Sequence, residues 1–466
     1  MSRPRRRARG RVRSPAGWAR CCRAKWRAYV AEPAAPHSDW TGFGFATRQV
    51  HAGEEEDLTH GSRITPVHLS AAYRFASFQE ATDRFAAADL GHLYSRNANP
   101  TNQVAERRLA SLEGGSGALV VGSGQAAITM ALLGLASSGE HIVSTASIYS
   151  GTRVLFDRTF ARMGVTVEYV WDPLDDAEWE ALIRPETKAI FTETLPNPKN
   201  DVVDIDAVAR VAQRHGIPLV VDNTIATPFL IRPIEHGADI VVHSATKFLS
   251  GHGANLAGAV VDGGRFDWAA SERSYPVITD TPVAAHASFL DAFGPRAFEL
   301  SLRFGIANDT GPALSPLNGF LLQQGMETLS VRMRQHLASA RTIAEWLAQH
   351  DAVESVDYAG LPSHPQHQIA LRDYDGLSGS VFSFTVHGGR DGAERFFDGL
   401  RLFSRMTNIG DTRSMALHPA TTTHLGFTQE TRDRLGITDG LIRLSIGLED
   451  AADLIADLEQ ALRATR

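Results

Sequence analysis

Between residues 117 and 262 the chain carries seven short apolar runs: GALVV (117–121), HIVST (141–145), VTVEYV (165–170), KAIFTE (188–193), PLVVDN (218–223), DIVVHS (239–244) and AGAVVD (257–262). Helix-patterned segments, including Gly124–Leu135, Gly151–Met163 and Ile205–His215, separate several of them. A strand that is apolar at successive positions has two faces to bury, not one. The series therefore predicts an α/β protein with a mostly parallel sheet covered by helices on both sides. In such sheets ligands collect beyond the carboxyl ends of the strands. The residues just after each run are where chemistry is to be sought.

From Leu317 the pattern changes. Residues 318–349 read as one long amphipathic helical stretch. Strand-like VESVDY (353–358) and GSVFSFTV (379–386) follow, then a helix near 391–400, strand-like IRLSIGLE (442–449) and a final helix at 450–464. This is expected to be a smaller α+β C-terminal domain over 317–466. His364 and His367 flank a Pro-Gln pair and are read as solvated. No 20–50-residue repeat, metal-spacing motif or apolar run long enough for a membrane span is visible.

The net charge of −7 conceals two unlike pieces. Residues 1–27 hold eleven basic residues and no acid, leaving 35 basic against 53 acidic residues in the remainder. An acidic body argues against nucleic-acid binding by the fold. Residues 1–37 are read as a disordered Arg-rich extension, or as translation from upstream of the native start, with Val30 one candidate. Both cysteines, Cys21 and Cys22, lie in that head. The body has no thiol, hence no disulfide framework or Cys-based metal site, and a cytoplasmic setting is expected.

Three run ends stand out. Lys247, in HSATKFLSGHG, follows the sixth run. The chain has four lysines (Lys25, Lys188, Lys199 and Lys247) against 42 arginines. A lysine at the lip of a buried pocket loses pKa by desolvation, and its neutral amine is a nucleophile suited to Schiff-base formation. Guanidinium cannot do this. The plain alternative is a strand-end lysine reaching solvent. Lys188 is read as preceding its strand, at the wrong end, and Lys199 lies in the polar PNPKND loop. Asp222 closes the fifth run. It either caps the following turn or holds a pyridine nitrogen protonated, keeping the ring an electron sink.

The third run end is VVGSGQAAITM (120–130), a strand, glycine turn and helix forming an anion site. Its Gly122, Gly124 and Ala127 also fit G-x-G-x-x-A, the mark of a nicotinamide-dependent oxidoreductase. That fingerprint wants an acid at the end of the next strand, where Ser144-Thr145 stand instead. Tyr149 could stack on a flat ring or be an ordinary buried aromatic. Arg443, inside an apolar strand, needs an anion: a substrate carboxylate or an internal salt bridge.

Together these residues resemble the Cys/Met-metabolism family of pyridoxal-phosphate enzymes, from about Phe45 to Leu462, with HSATKFLSGH the most specific motif. The resemblance implies the fold-type I (aspartate-aminotransferase-like) architecture, pyridoxal 5'-phosphate as cofactor and Lys247 as its Schiff-base lysine. Gly124 and Gln125 would give backbone donors to the phosphate, and Ser244 and Thr246 hydroxyls. Tyr149 would stack on the ring, Asp222 hold its nitrogen and Asn197 lie near its phenolic oxygen. YSRNANPT (94–101) matches a segment that crosses a dimer interface, so Tyr94 and Arg96 would serve the neighbouring subunit's phosphate. Residues 38–93 would be an arm contacting that subunit and 94–316 the cofactor domain. The assembly implied is a tetramer of two such dimers.

Within the family, SGQAA, NIGDTRS (408–414), HPATTTH (418–424) and the insertion around 264–315 look like the O-acetylhomoserine sulfhydrylase branch. The activity implied is replacement of acetate by sulfide on O-acetyl-L-homoserine, giving L-homocysteine, with O-acetylserine a further substrate. Arg443 and Asn408 would bind substrate. Lys247 would move its protons, assisted by Tyr94 or Tyr149. Cystathionine γ-synthase and γ-lyase are the alternatives within the family. The segment at 94–100 departs from the pattern at Asn97 and Ala98, where a bulkier residue is expected.

Overall fold

A computed structural model describes residues 40–465, apart from 55, 56, 58, 87, 284 and 285. The expectations for the Arg-rich head, with Cys21, Cys22 and Lys25, lie outside the described residues.

All seven runs are strands: β1 (Gly117–Val121), β2 (His141–Thr145), β3 (Thr166–Val170), β4 (Thr187–Glu193), β5 (Leu219–Asp222), β6 (Ile240–His243) and β7 (Gly258–Asp262). Their order across the sheet is β1-β7-β6-β5-β4-β2-β3. Neighbours pair in parallel from β6 to β3, and β7 runs antiparallel to both β1 and β6. Since β7 reverses direction twice over, β1 points the same way as β6. The carboxyl ends of β1, β2, β4, β5 and β6 therefore share one rim.

The two-sided burial has its expected cause. Val143, Ile190, Val221, Val241 and Val261 face one helical layer, and Ile142, Phe191, Val220, Val242 and Val260 face the other. Each is essentially inaccessible to water, and such side chains contribute about 1.5–3 kcal/mol apiece relative to exposure. The helix Gly124–Leu133 packs on β6 and β7. The segment read as a helix over Gly151–Met163 starts at Ser150 and widens into a π-helical stretch, Leu155–Phe160.

A second sheet, order β10-β11-β12-β9-β8, is built from β8 (Val353–Asp357), β9 (Val381–Val386), β10 (Ser404–Arg405), β11 (Met415–Leu417) and β12 (Leu441–Ser445). Helices Leu329–Leu347 and Ala451–Arg463 supply much of its core. β10 and β11 went unread in the sequence because two or three residues carry no periodicity.

Three expectations are corrected. Residues 318–349 form two helices, Pro316–Glu327 and Leu329–Leu347. The chain turns at Thr328, where φ −112° and ψ 10° leave the helical region. His364 and His367 are half-buried rather than solvated, and His367 Nδ1 lies 3.0 Å from the Ala359 carbonyl oxygen. Lys188 lies inside β4, buried, with Nζ 3.2 Å from Glu140 and donating to the Ser274 carbonyl. Among the described residues no helix is long and apolar enough to cross a membrane.

Candidate active site

The shared rim opens into a cavity of about 180 Å³. Its lining includes Gly124, Gln125, Tyr149, Asn197, Asp222, Ser244, Thr246 and Lys247, eight of the residues singled out in the sequence. Strand ends bring them together. Gly124 opens a helix after β1, Tyr149 follows β2, Asn197 follows β4, Asp222 ends β5, and Lys247 follows β6.

The helix at Gly124 is capped by Ser123, whose hydroxyl accepts from the Ala126 N–H at 3.2 Å. A Cβ at position 124 would lie 2.5 Å from the Ser244 Cβ, so only glycine lets the helix start sit against Ser244. The first N–H groups of a helix have no intrahelical acceptor, and they are presented here to the cavity. Ser244 donates its backbone N–H to the Thr224 hydroxyl at 2.8 Å. The Thr246 hydroxyl donates to the Ala257 carbonyl and accepts from the Ala257 N–H, so giving its proton to a phosphate requires that it leave Ala257.

Lys247 sits in the turn after β6, and its Nζ donates to Asn408 Oδ1 at 2.6 Å. Burial, and then the Arg443 charge, pull the amine down to about 8. The other two described lysines are ion-paired, Lys188 with Glu140 and Lys199 with Asp357, whereas among the described residues no carboxylate pairs with Lys247. Gly410 makes the approach of the Asn408 loop feasible. Its φ is +70°, and a Cβ there would meet the Phe248 amide nitrogen at 2.8 Å.

Arg443, on β12, is fully buried. Its Nη2 donates to the carbonyls of Met406 and Asn408, while Nε and Nη1 have no partner among the described residues. The internal salt bridge weighed in the sequence is absent among the described residues. Burial lowers the guanidinium to about 10, with Tyr149 opposing. A buried cation with two unused donors fits an anionic ligand.

Asp222 accepts from the Thr224 N–H at 2.9 Å, and burial raises its pKa. Glu193, beside it at the end of β4, was not singled out. The signal was available, since KAIFTE ends an apolar run on a carboxylate just as PLVVDN does. Tyr149 is 43% exposed, and burial followed by the Glu193 charge raises its phenol above the usual range. Tyr94 and Arg96 do not line this cavity; they stack on each other, guanidinium carbon 5.3 Å from the ring centre, with Tyr94 45% exposed.

A carboxylate, a lysine amine and a phosphate-type anion site thus line one cavity, and the comparisons with known proteins agree. Residues 46–463 match the family model for the Cys/Met metabolism PLP-dependent enzymes. The chain belongs to this family. An O-acetyl-L-homoserine sulfhydrylase of Corynebacterium glutamicum is 45% identical over 437 residues, covering 93% of this chain and all of the relative. An O-succinylhomoserine sulfhydrylase of Pseudomonas aeruginosa is 41% identical, covering 92% and 97%. A crystal structure from Campylobacter jejuni, assigned as an O-acetylhomoserine (thiol)-lyase and holding a pyridoxyl-lysine phosphate, superposes with a TM-score of 0.87 at 36% identity. It covers 90% of this chain and all of that one.

The architecture is fold-type I, and the protein is a PLP-dependent transferase of the sulfhydrylase type. The nicotinamide alternative falls with that finding. The close-packed Gly124, the buried carboxylate of Asp222 and the desolvated Lys247 all fit pyridoxal phosphate.

Proposed function

We propose that the enzyme exchanges acetate for sulfide at Cγ of O-acetyl-L-homoserine, giving L-homocysteine and acetate. The observation that carries this is the Lys247–Asn408–Arg443 cluster: a desolvated amine beside a buried guanidinium with two spare donors. Relatives named as sulfhydrylases of O-acyl homoserines support the substrate class.

Pyridoxal phosphate, when bound, supplies a carbonyl that links to the substrate amine and an electron sink conjugated to its Cα. The chain's own groups do the rest. Helix N–H groups at Gly124 and Gln125, with Ser244 and Thr246, hold the phosphate. Asp222 would pair with the ring nitrogen, Asn197 would serve the phenolic oxygen and Tyr149 would cover the ring. Arg443 clamps the substrate carboxylate, and Asn408 holds the Lys247 amine whenever that amine is free. Lys247, near 8, is a base matched to neutral pH and moves the protons at Cα and Cβ. Acetate then leaves Cγ and sulfide takes its place. The Tyr149 phenol, held protonated by its surroundings, is a proton donor at the mouth. In this reading a second copy of the chain brings Tyr94 and Arg96 to the phosphate, 38–93 is its contact arm, and 94–316 and 317–466 are the two domains.

The test offers purified holoenzyme O-acetylhomoserine with sulfide, O-succinylhomoserine with sulfide, O-succinylhomoserine with cysteine, and cystathionine alone. The first pair should turn over fastest and release acetate and homocysteine in equal amounts. Faster use of the succinyl donor would move the assignment to that ester. Turnover of cystathionine at a comparable rate would move it to γ-lyase chemistry.

A further inference from the structure

Glu193 shares the cavity wall with Asp222 and has no part in the mechanism above. The two are register partners at the ends of parallel strands β4 and β5. Strands so paired lie about 4.8 Å apart and direct register partners to the same face. Both residues are buried, 5% and 7% exposed, and both line the cavity. Among the described residues neither has a cationic partner. Glu193 Oε1 accepts the backbone N–H of Tyr149 at 2.8 Å, and Asp222 Oδ1 accepts that of Thr224.

The groups around the pair are few. His243, on β6, is committed to Glu113 at 2.7 Å. Lys247 is held by Asn408, and Arg443 by the Met406 and Asn408 carbonyls. Two adjacent carboxylates without a cation cannot both ionise at modest cost, so one keeps its proton. When Asp222 pairs with a protonated ring nitrogen, the proton falls to Glu193. Burial and the Asp222 charge both push Glu193 in that direction.

We propose that Glu193 is a positioning residue: it stays protonated beside an ionised Asp222 and, through the Tyr149 amide, fixes the tyrosine that covers the cofactor ring. One carboxyl oxygen accepts from Tyr149, and the remaining O–H is available to Asp222. The inference rests on Asp222 being the partner of the ring nitrogen.

The experiment compares holoenzyme with Glu193→Gln, Glu193→Ala and Asp222→Asn, reading cofactor Kd by fluorescence and protonated-carboxyl C=O stretches by infrared difference spectroscopy. Glutamine reproduces a neutral acceptor, so Glu193→Gln should keep the cofactor Kd within about threefold while abolishing one buried protonated-carboxyl band. Glu193→Ala should weaken cofactor binding at least tenfold. A Glu193→Gln variant as impaired as the alanine variant, or a holoenzyme without that band, overturns the proposal. Asp222→Asn separates the premise: undiminished cofactor affinity there removes Asp222 from the ring nitrogen, whatever the Glu193 variants do. Should the alanine variant fail to fold, the glutamine variant and the infrared band decide alone.

Discussion

Two buried arginines, in two regions of the molecule, have opposite surroundings. Arg303, in the insertion helix Ala297–Phe304, binds Glu299 at 2.7 Å, Glu106 at 2.9 Å and the carbonyls of Asn97 and Ala118. Burial alone would depress its pKa, but the two glutamates more than offset this and hold it above the usual range. Among the described residues Arg443 has no carboxylate partner and two idle nitrogens, and its pKa is brought down to about 10. A guanidinium with a partner on each of its three nitrogens is part of the framework. One left short is reserved for something that arrives later. The same region explains the departure at Asn97: its side chain donates to Asn308 Oδ1 at 2.8 Å, and Arg303 holds its carbonyl. The short polar residue that broke the family pattern ties the Tyr94–Arg96 segment to the insertion.

The sharpest way to break the comparison is to remove each charge. Arg303→Met should cost about 3–5 kcal/mol of folding stability, because buried Glu106 loses its cation and Glu299 is left with Arg296 alone. Urea unfolding measures this, and KM per folded molecule should be unchanged. A loss under 1 kcal/mol would mean that Arg303 is not structural.

Arg443→Met should do the reverse. Stability should hold or rise, since an underbonded buried charge is removed, while kcat/KM should fall by about 10²-fold, roughly 3 kcal/mol, through KM. It should also raise the Lys247 pKa, moving the acidic limb of the rate profile to higher pH. An unchanged KM would assign the carboxylate clamp elsewhere.

The smallest effect concerns Lys247 itself. Its pKa is about 8 in the folded chain and near 10.5 unfolded, so the unfolded state binds more protons between those values and stability rises with pH there. Below pH 8 the buried charge is a cost. Lys247→Met apoenzyme should therefore be about 1–2 kcal/mol more stable than the parent at pH 7, with the gap closing towards pH 10. A gap independent of pH would mean that the amine is not desolvated.

Much of this was legible from local pattern. Seven apolar runs became seven strands, and a lone lysine and an aspartate at run ends lie in the cavity. Strand identity and strand ends depend on near neighbours, through side-chain alternation and turn residues, which a sequence displays directly. Glu193 carried the same signal and was passed over. Lys188 was read as misplaced, yet it is an ion-paired residue of the sheet.

The sequence alone determined which segments are strands, that the sheet is covered twice, and which residues stand at its rim. Only the tertiary structure decided that β7 enters between β1 and β6, bringing Gly124 against Ser244. It also decided that Asn408, in the loop between β10 and β11, bonds Lys247, that the Arg443 charge on β12 acts on that amine, and that Glu193 meets the Tyr149 amide. The residues so brought together lie 44 to 196 positions apart. Their pairing depends on strand order and register, which the whole core settles at once and no short stretch of sequence encodes.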